Sequence, residues 1–307
     1  MSDNEKLNPY EQRGPLNHKQ SAGRRVISFS LWGDKPEYCL GALENAKRAK
    51  VVFPDWTCRF YVSKSVPREI IKLIQEEGNT EVITVNYEDD WRGTLWKLFA
   101  VEDRSVDIVL FRDVNSRLST RDALAVEDWM KTNIPLHIIR DHPFNTPHPI
   151  PPGSWGTVTE PFRWIASDVR KYMSNFGAGT LSQEDILEGR LEPENEEIEK
   201  NIDIKYINKL YLSHGSHAFI HDSFPHFNPW SCRNFQIGRV KEFSTGFPVV
   251  RNSHGDHENK WNDFVGQKYD HKNKPNEKLA KELESVENDL VKLNKSIMIN
   301  QREWLDG

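Results

Sequence analysis

The sequence predicts an α/β fold in which helices flank a mostly parallel sheet. Short apolar segments alternate with helical segments four times between Val26 and Arg140. Helices between short apolar strands imply right-handed crossovers, and these connect parallel strands of one sheet. The chain has 307 residues, of which 37% are hydrophobic and 28% are charged, so it can bury the core of one large domain or two small ones.

The strands and helices of this alternation follow directly from the sequence. The predicted strands cover residues 26–32, 56–63, 81–85, 106–111 and 135–140. The predicted helices run from Pro36 to about Lys50, from Pro67 to Gly78, over residues 89–103, and from Ser119 or Thr120 through Trp129. Pro36 suits the first turn of a helix, and Gly78 suits a helix end.

The composition changes after Arg140. Residues 141–152 contain five prolines and predict a loop, residues 181–200 predict an acidic, exposed excursion, and residues 264–269 predict a last short strand. We therefore expect a polar tail over residues 1–23, an α/β domain over residues 24–271 and a charged helix over residues 272–307. This last helix would pack on its own domain or pair with a second copy in a homo-oligomer.

Charge and cysteine content argue against several classes of protein. The net charge of −5 is unfavourable for a nucleic-acid-binding protein. Three scattered cysteines fit a reducing compartment better than a disulfide framework. The polar N-terminus has no signal-peptide pattern, and no apolar run approaches the roughly 20 residues of a membrane helix. We expect a cytoplasmic protein without a transmembrane segment.

The end of the predicted strand 106–111 carries the main functional signal. Arg112, Asp113, Asn115 and Arg117 follow it directly. Ligands of open α/β sheets bind at the carboxyl ends of strands, and residues that flank one position face the same side of an extended segment. Oxygen ligands beside arginines suit a divalent cation and a phosphate-bearing ligand. The alternative is an ordinary strand-end turn, in which Asp and Asn are common.

Four motifs, in order, carry a family resemblance. They are RDVNSRLS at 112–119, AVEDW at 125–129, IIRDHP at 138–143 and GSWG at 153–156. Between about Val26 and about Tyr269 the chain resembles a group of GT-A-type glycosyltransferases found in bacterial surface-polysaccharide clusters and in some large viruses. The family usually has Asp-x-Asp at the strand end, where this chain has Asp113, Val114 and Asn115.

The resemblance implies a GT-A-like fold and a donor site. The reaction would move a sugar from a nucleoside-diphosphate sugar to a glycan, lipid-linked or other hydroxyl acceptor. Mn²⁺ or Mg²⁺ would be held by Asp113 and Asn115, weakly because an amide oxygen is neutral, and His221 would complete its shell. The side chains expected around the donor are Arg112, Arg117, Arg140, Trp96 and Trp155; both tryptophans could instead belong to the core.

The general base has two candidates at the end of the predicted strand 135–140. Asp141 is the leading candidate and His142 competes with it. The alternative for Asp141 is an ion pair with an arginine beside the strand end.

Two other functions compete with the transferase. The first is a catalytically silent nucleotide- or glycan-binding protein on the same fold, which the neutral Asn115 favours. The second is a nucleotidyltransferase that makes the sugar nucleotide. That activity usually needs a glycine-rich loop after the first strand, and residues 31–39 contain only one glycine.

Overall fold

The computed structural model describes residues 23–141, 148–175, 201–223, 232–233 and 235. Several predicted segments lie outside these residues: nearly all of the tail 1–23, the excursion 181–200, the strand 264–269 and the helix 272–307. In the described part of the chain, no helix combines the length and the apolarity needed to cross a membrane.

Strands and helices alternate along the first half of the chain. The strands are β1 Arg24–Leu31, β2 Thr57–Val62, β3 Thr80–Thr84, β4 Val106–Arg112, β5 Leu136–Arg140, β6 Ser154–Val158, β7 Ala218–Asp222 and β8 Cys232–Arg233. The α-helices are α1 Pro36–Val52, α2 Arg68–Glu76, α3 Thr120–Met130, α4 Trp164–Asn175 and α5 Ile202–His214. A long 3₁₀ helix covers Trp91–Glu102, where the sequence predicts an α-helix.

The strands form one eight-stranded sheet with the order β3-β2-β1-β4-β6-β5-β7-β8. Every neighbouring pair is parallel except those of β6, which runs antiparallel to β4 and β5. The predicted α/β class and the mostly parallel sheet are therefore confirmed. The sequence does not reveal β6 or β7, because GSWG has the composition of a turn and the region of β7 is dominated by histidines.

Both faces of the sheet are covered, as expected for parallel strands. Ile27 and Phe29 pack with α1 and α3 on one face, while Val26 packs with the 3₁₀ helix, α4 and α5 on the other. This alternation follows from the two-residue period of a strand.

The strand order also fixes where a ligand can enter. β1 pairs with β2 on one side and with β4 on the other, all three parallel. After β1 the chain passes through α1 to β2 on one side of β1, whereas β4 lies on the other side of β1. A crevice forms at the carboxyl edge of the sheet where the strand order reverses in this way. The segments that follow β1 and β4 meet at this crevice.

Candidate functional site

A cavity of about 610 Å³ lies at the carboxyl edge of β1 and β4. Its walls are residues 30–35 after and within β1, residues 112–115 at the end of β4, one side of the 3₁₀ helix, and residues 152–153 before β6. Asp113 and Asn115 both line it, as the sequence predicts. They lie in a turn after β4, in which the Ser116 amide donates to the Asp113 carbonyl at 3.1 Å, so the turn that the sequence left open as an alternative is present and also forms part of the cavity wall.

The segment that carries Asp113 and Asn115 is held from α1. The buried Asn45 amide donates to the Val114 carbonyl at 3.1 Å and to the Ser116 carbonyl at 2.8 Å. Its carbonyl oxygen accepts from the Leu118 amide at 3.0 Å. Gly41 lets α1 approach, because a Cβ atom there would lie 2.2 Å from the Val114 carbonyl oxygen. One helix thus fixes the backbone of the strand end.

Lys97 is the partner of Asp113 inside the cavity. Its Nζ lies 2.6 Å from Asp113 Oδ1, and the lysine side chain is only 3% exposed. The backbone of Lys97 is fixed on β1: its amide donates to Ser30 Oγ at 2.9 Å and its carbonyl accepts from Ser28 Oγ at 2.7 Å. Lys97 is not among the residues predicted to bind the donor.

The 3₁₀ geometry brings Lys97 to the cavity. Trp91, Thr94 and Lys97 all line it, at a spacing of three residues. A 3₁₀ helix has three residues per turn, so these side chains eclipse one another. In an α-helix, positions six apart would diverge by about 120°. The 3₁₀ period therefore aligns a lysine with an aromatic wall.

Aromatic side chains form the apolar part of the cavity. Trp32, Trp91 and Tyr38 line it. Trp32 lies against the 3₁₀ helix at Gly93, where a Cβ atom would come within 2.8 Å of the indole ring. Burial, then the neighbouring Glu37, raises the pKa of Tyr38 to about 12, so its hydroxyl remains a hydrogen-bond donor at neutral pH. Flat rings beside donors suit a nucleobase or a sugar ring.

The three arginines expected around the donor have structural partners instead. Arg112 lines the cavity, but its guanidinium is 3% exposed and binds both carboxylate oxygens of Asp122, at 2.8 and 2.7 Å. Arg117 is buried and donates to carbonyls of its own turn. Arg140 is fully buried and its Nε lies 2.6 Å from Asp222. Arg117 and Arg140 do not line the cavity.

Asp141 occupies a closed position at the end of β5. It is 1% exposed and accepts two hydrogen bonds from Arg121, both at 2.8 Å, and one from the Ser223 hydroxyl. It does not line the cavity, so this geometry corrects its expected role as a base that faces the acceptor. The ion pair that the sequence left open is present, with Arg121 as the partner. His142 lies outside the described residues.

Trp96, Trp155 and His221 also lie away from the cavity. Both tryptophans are fully buried in the core, where Trp155 packs on Phe111 with ring centroids 4.1 Å apart. They cannot offer a face to a sugar. His221 is on β7, three strand positions or about 14 Å from β4, and pairs with His137 at a nitrogen–nitrogen distance of 3.0 Å. It cannot share a metal ion with Asp113.

The donor set around Asp113 does not complete a divalent-cation site. Asp113 Oδ1 already accepts from the Lys97 ammonium, and Asn115 offers only a neutral amide oxygen. Among the described residues, no three His, Cys, Asp or Glu side chains are grouped as a metal would require. Hard divalent cations prefer several carboxylate or carbonyl oxygens, so the expected Mn²⁺ or Mg²⁺ does not fit the protein groups around Asp113 in the described part of the chain.

Among the described residues, His148 is the histidine that lines the cavity. Burial lowers its pKa, so the ring is neutral at pH 7 and can accept a proton. It lies in the proline-rich segment that the sequence predicts as a loop. This segment follows the motif IIRDHP, which contains the two predicted bases, Asp141 and His142.

Comparison with known proteins gives distant structural likenesses. No protein-family model matches the chain, and no curated protein matches it. A mannosyltransferase from Pyrobaculum calidifontis in complex with GDP-mannose and Mn²⁺ is 10% identical with a TM-score of 0.35; the match covers 56% of this chain and 52%, about half, of that one. The galactosyltransferase LgtC, in complex with donor and acceptor sugar analogues, is 15% identical with a TM-score of 0.39, covering 65% of this chain and 73% of LgtC.

A third likeness is to glucosyl-3-phosphoglycerate synthase from Mycobacterium tuberculosis in complex with UDP. It is 12% identical with a TM-score of 0.34, and the match covers 76% of this chain and 89% of the synthase. Two of these neighbours are glycosyltransferases by name and the third is a synthase, but at these TM-scores they carry no argument about the activity of this chain.

Proposed function

We propose that the protein is a glycosyltransferase that moves a sugar from a nucleoside-diphosphate sugar to a hydroxyl acceptor. The observation that carries the proposal is the Lys97–Asp113 pair beside Asn115, on the wall of a 610 Å³ cavity at the carboxyl edge of β1 and β4. A diphosphate is a leaving group that gains negative charge as the glycosidic bond breaks, and a fixed cation stabilises that charge.

The remaining walls suit the other parts of such a donor. Trp32 and Trp91 offer apolar ring surfaces, and Tyr38 adds a third ring, whose hydroxyl is hydrogen-bonded to Glu37. His148 takes the place of Asp141 as the proposed general base for the acceptor hydroxyl, because it lines the cavity and its lowered pKa keeps it neutral.

The finer parts of the proposal are supported by the sequence. The family resemblance supports a glycan or lipid-linked acceptor in surface-polysaccharide synthesis. All three cysteines are unbridged, which supports a reducing, cytoplasmic location. The division into residues 1–23, 24–271 and 272–307, with the last helix as a contact between copies, remains a prediction.

Turnover tests the proposal. Full-length protein is incubated with a panel of nucleoside-diphosphate sugars and simple sugar acceptors, and released nucleoside diphosphate is measured. We expect release from at least one donor, and Asp113→Asn should lower it at least 100-fold. Asp55→Asn, the same change in an exposed turn, should leave it unaltered.

A second candidate is a catalytically silent binding protein, which the neutral Asn115 favours. The same panel separates the two, when it is read by calorimetry as well as by turnover. Donor binding that depends on Asp113 without any release of nucleotide would reject the transferase and support the silent protein. His148→Asn adds a third reading, since it should lower turnover while donor binding persists.

A further inference from the structure

We propose that the ammonium group of Lys97, and not a divalent cation held by protein carboxylates, is the positive charge that balances Asp113 and receives the diphosphate. This inference rests on the proposed function and specifies which positive charge in the donor site binds the diphosphate. It makes nucleotide binding by this protein largely independent of added metal.

The position of Lys97 is built by the fold. Two β1 hydroxyls, Ser28 and Ser30, hold its backbone amide and carbonyl, so the residue cannot shift along the 3₁₀ helix without breaking both bonds. In the described part of the chain it is the one lysine among the buried charged residues. A buried ammonium is costly unless it is paired, and Asp113 is the pair.

The Asp113 carboxylate already has a cationic partner. One oxygen accepts from Lys97 at 2.6 Å. The carboxylate also lies against Gly153, where a Cβ atom would come within 2.4 Å of Oδ2 and 2.8 Å of Oδ1. A divalent cation on this carboxylate would lie beside the Lys97 ammonium and be repelled by it, and Asn115 could add only a neutral oxygen ligand.

The cavity nevertheless needs a cation to accept a diphosphate. Asp34, Asp89, Asp90 and Asp203 line it in addition to Asp113. Asp90 binds Arg92 through both carboxylate oxygens, so part of this negative charge is already balanced. Lys97 is fixed beside the strand end, whereas Lys35, the other lysine on the wall, is exposed.

Calorimetric titrations of the full-length protein test this inference. UDP, GDP, ADP and CDP are titrated into wild type and Lys97→Met, each in EDTA and in Mn²⁺, and Mn²⁺ is titrated alone. We expect wild type to bind one nucleotide in EDTA within about threefold of its affinity in Mn²⁺. Lys97→Met should lose at least tenfold in EDTA and should bind Mn²⁺ alone more tightly, because the ammonium no longer competes.

The controls keep the outcomes distinct. Lys97→Arg keeps the charge and should retain part of the affinity in EDTA, while Lys72→Met, the same change at an exposed site of α2, should behave as wild type. Nucleotide binding by wild type that vanishes in EDTA overturns the inference, even if Lys97→Met does not fold, and leaves the proposed function standing. Failure of wild type to bind any of the four nucleotides in either condition overturns both.

Discussion

At the scale of single residues, Asn45 makes the most hydrogen bonds to the backbone turn that carries Asp113 and Asn115. It uses both donors and its acceptor on the backbone between Val114 and Leu118, although it lies about 70 residues earlier in the chain. A polar side chain buried in this way replaces backbone pairing that a turn lacks. Nothing in the sequence around Asn45 distinguishes it from an ordinary helix residue.

Asn45→Ala should destabilise the protein because the Leu118 amide loses the Asn45 side chain as its partner, and the Val114 and Ser116 carbonyls keep only their longer bonds from Arg117. Each unsatisfied buried group costs about 1–3 kcal/mol, and partial relaxation reduces the sum, so we expect the free energy of unfolding to fall by about 2–4 kcal/mol. Urea denaturation measures it. Asn86→Ala, at an exposed site, serves as the control and should change it by less than about 0.5 kcal/mol. Equal effects of the two changes would show that Asn45 does not order the strand end.

Neighbouring helices and strands supply the partners that neutralise the charged residues at the strand ends. Arg112 binds Asp122 of α3, Asp141 binds Arg121 of α3, and Arg140 binds Asp222 of β7. The partners in these three pairs are 10, 20 and 82 residues apart in the chain, respectively. The sequence correctly locates charge at the carboxyl ends of β4 and β5. It does not show which charges neutralise one another, because that depends on helices and strands brought together by the fold.

The 3₁₀ helix shows a second limit of the same kind. Its apolar stripe predicts a helix correctly, and its start at Asp90, whose side chain accepts from the Arg92 amide, fits ordinary capping. The backbone of this helix is bonded to β1 through Ser28 and Ser30, and its period of three residues aligns Lys97 with Trp91 and Thr94 on the cavity wall. The wall after β4 was thus predictable from the sequence. The resemblance also implied that this helix lies near the donor, through Trp96, but it did not indicate the residues that line the cavity, Trp91, Thr94 and Lys97.

The histidine pair between β5 and β7 should make stability depend on pH. Burial, followed by the charges of His221 and Arg112, lowers the pKa of His137 well below 6.5. Burial likewise lowers the pKa of His221 to about 4, opposed by Asp128 and Asp141 and reinforced by Arg121. The unfolded chain therefore takes up protons first as the pH falls, so stability is complete above about pH 6.5 and declines toward pH 4.

Urea denaturation at pH 7.5 and pH 5 measures this decline. We expect the free energy of unfolding to fall by at least about 1 kcal/mol, the value of roughly one pKa unit of difference between the two states. His221→Gln removes one titrating group and should shrink the decline. His217→Gln, at an exposed position after α5, should leave the decline as in wild type. A decline that is the same in all three proteins would assign it to other groups.

The whole sheet gives the site its rigidity through its strand order. β1 and β4, which carry the cavity walls, are interior strands with paired neighbours on both sides, whereas β3 is an edge strand with two of five residues exposed. The local alternation of strands and helices predicts the class of fold. It does not predict this order, because β6, the next strand after β5 in the chain, inserts antiparallel between β4 and β5.

Amide hydrogen exchange should reflect that order. Exchange of interior strands requires global opening, whereas an edge strand opens locally at lower cost. We expect the amides of β1 and β4 to exchange at least 100-fold more slowly than those of β3, as measured by mass spectrometry at neutral pH. Comparable protection of β3 would mean that another segment of the chain covers this edge. If β1 and β4 are the slowest strands without ligand, the walls that hold Asp113 are formed before a donor binds, and binding adds protection mainly to residues 91–97 and 113–115.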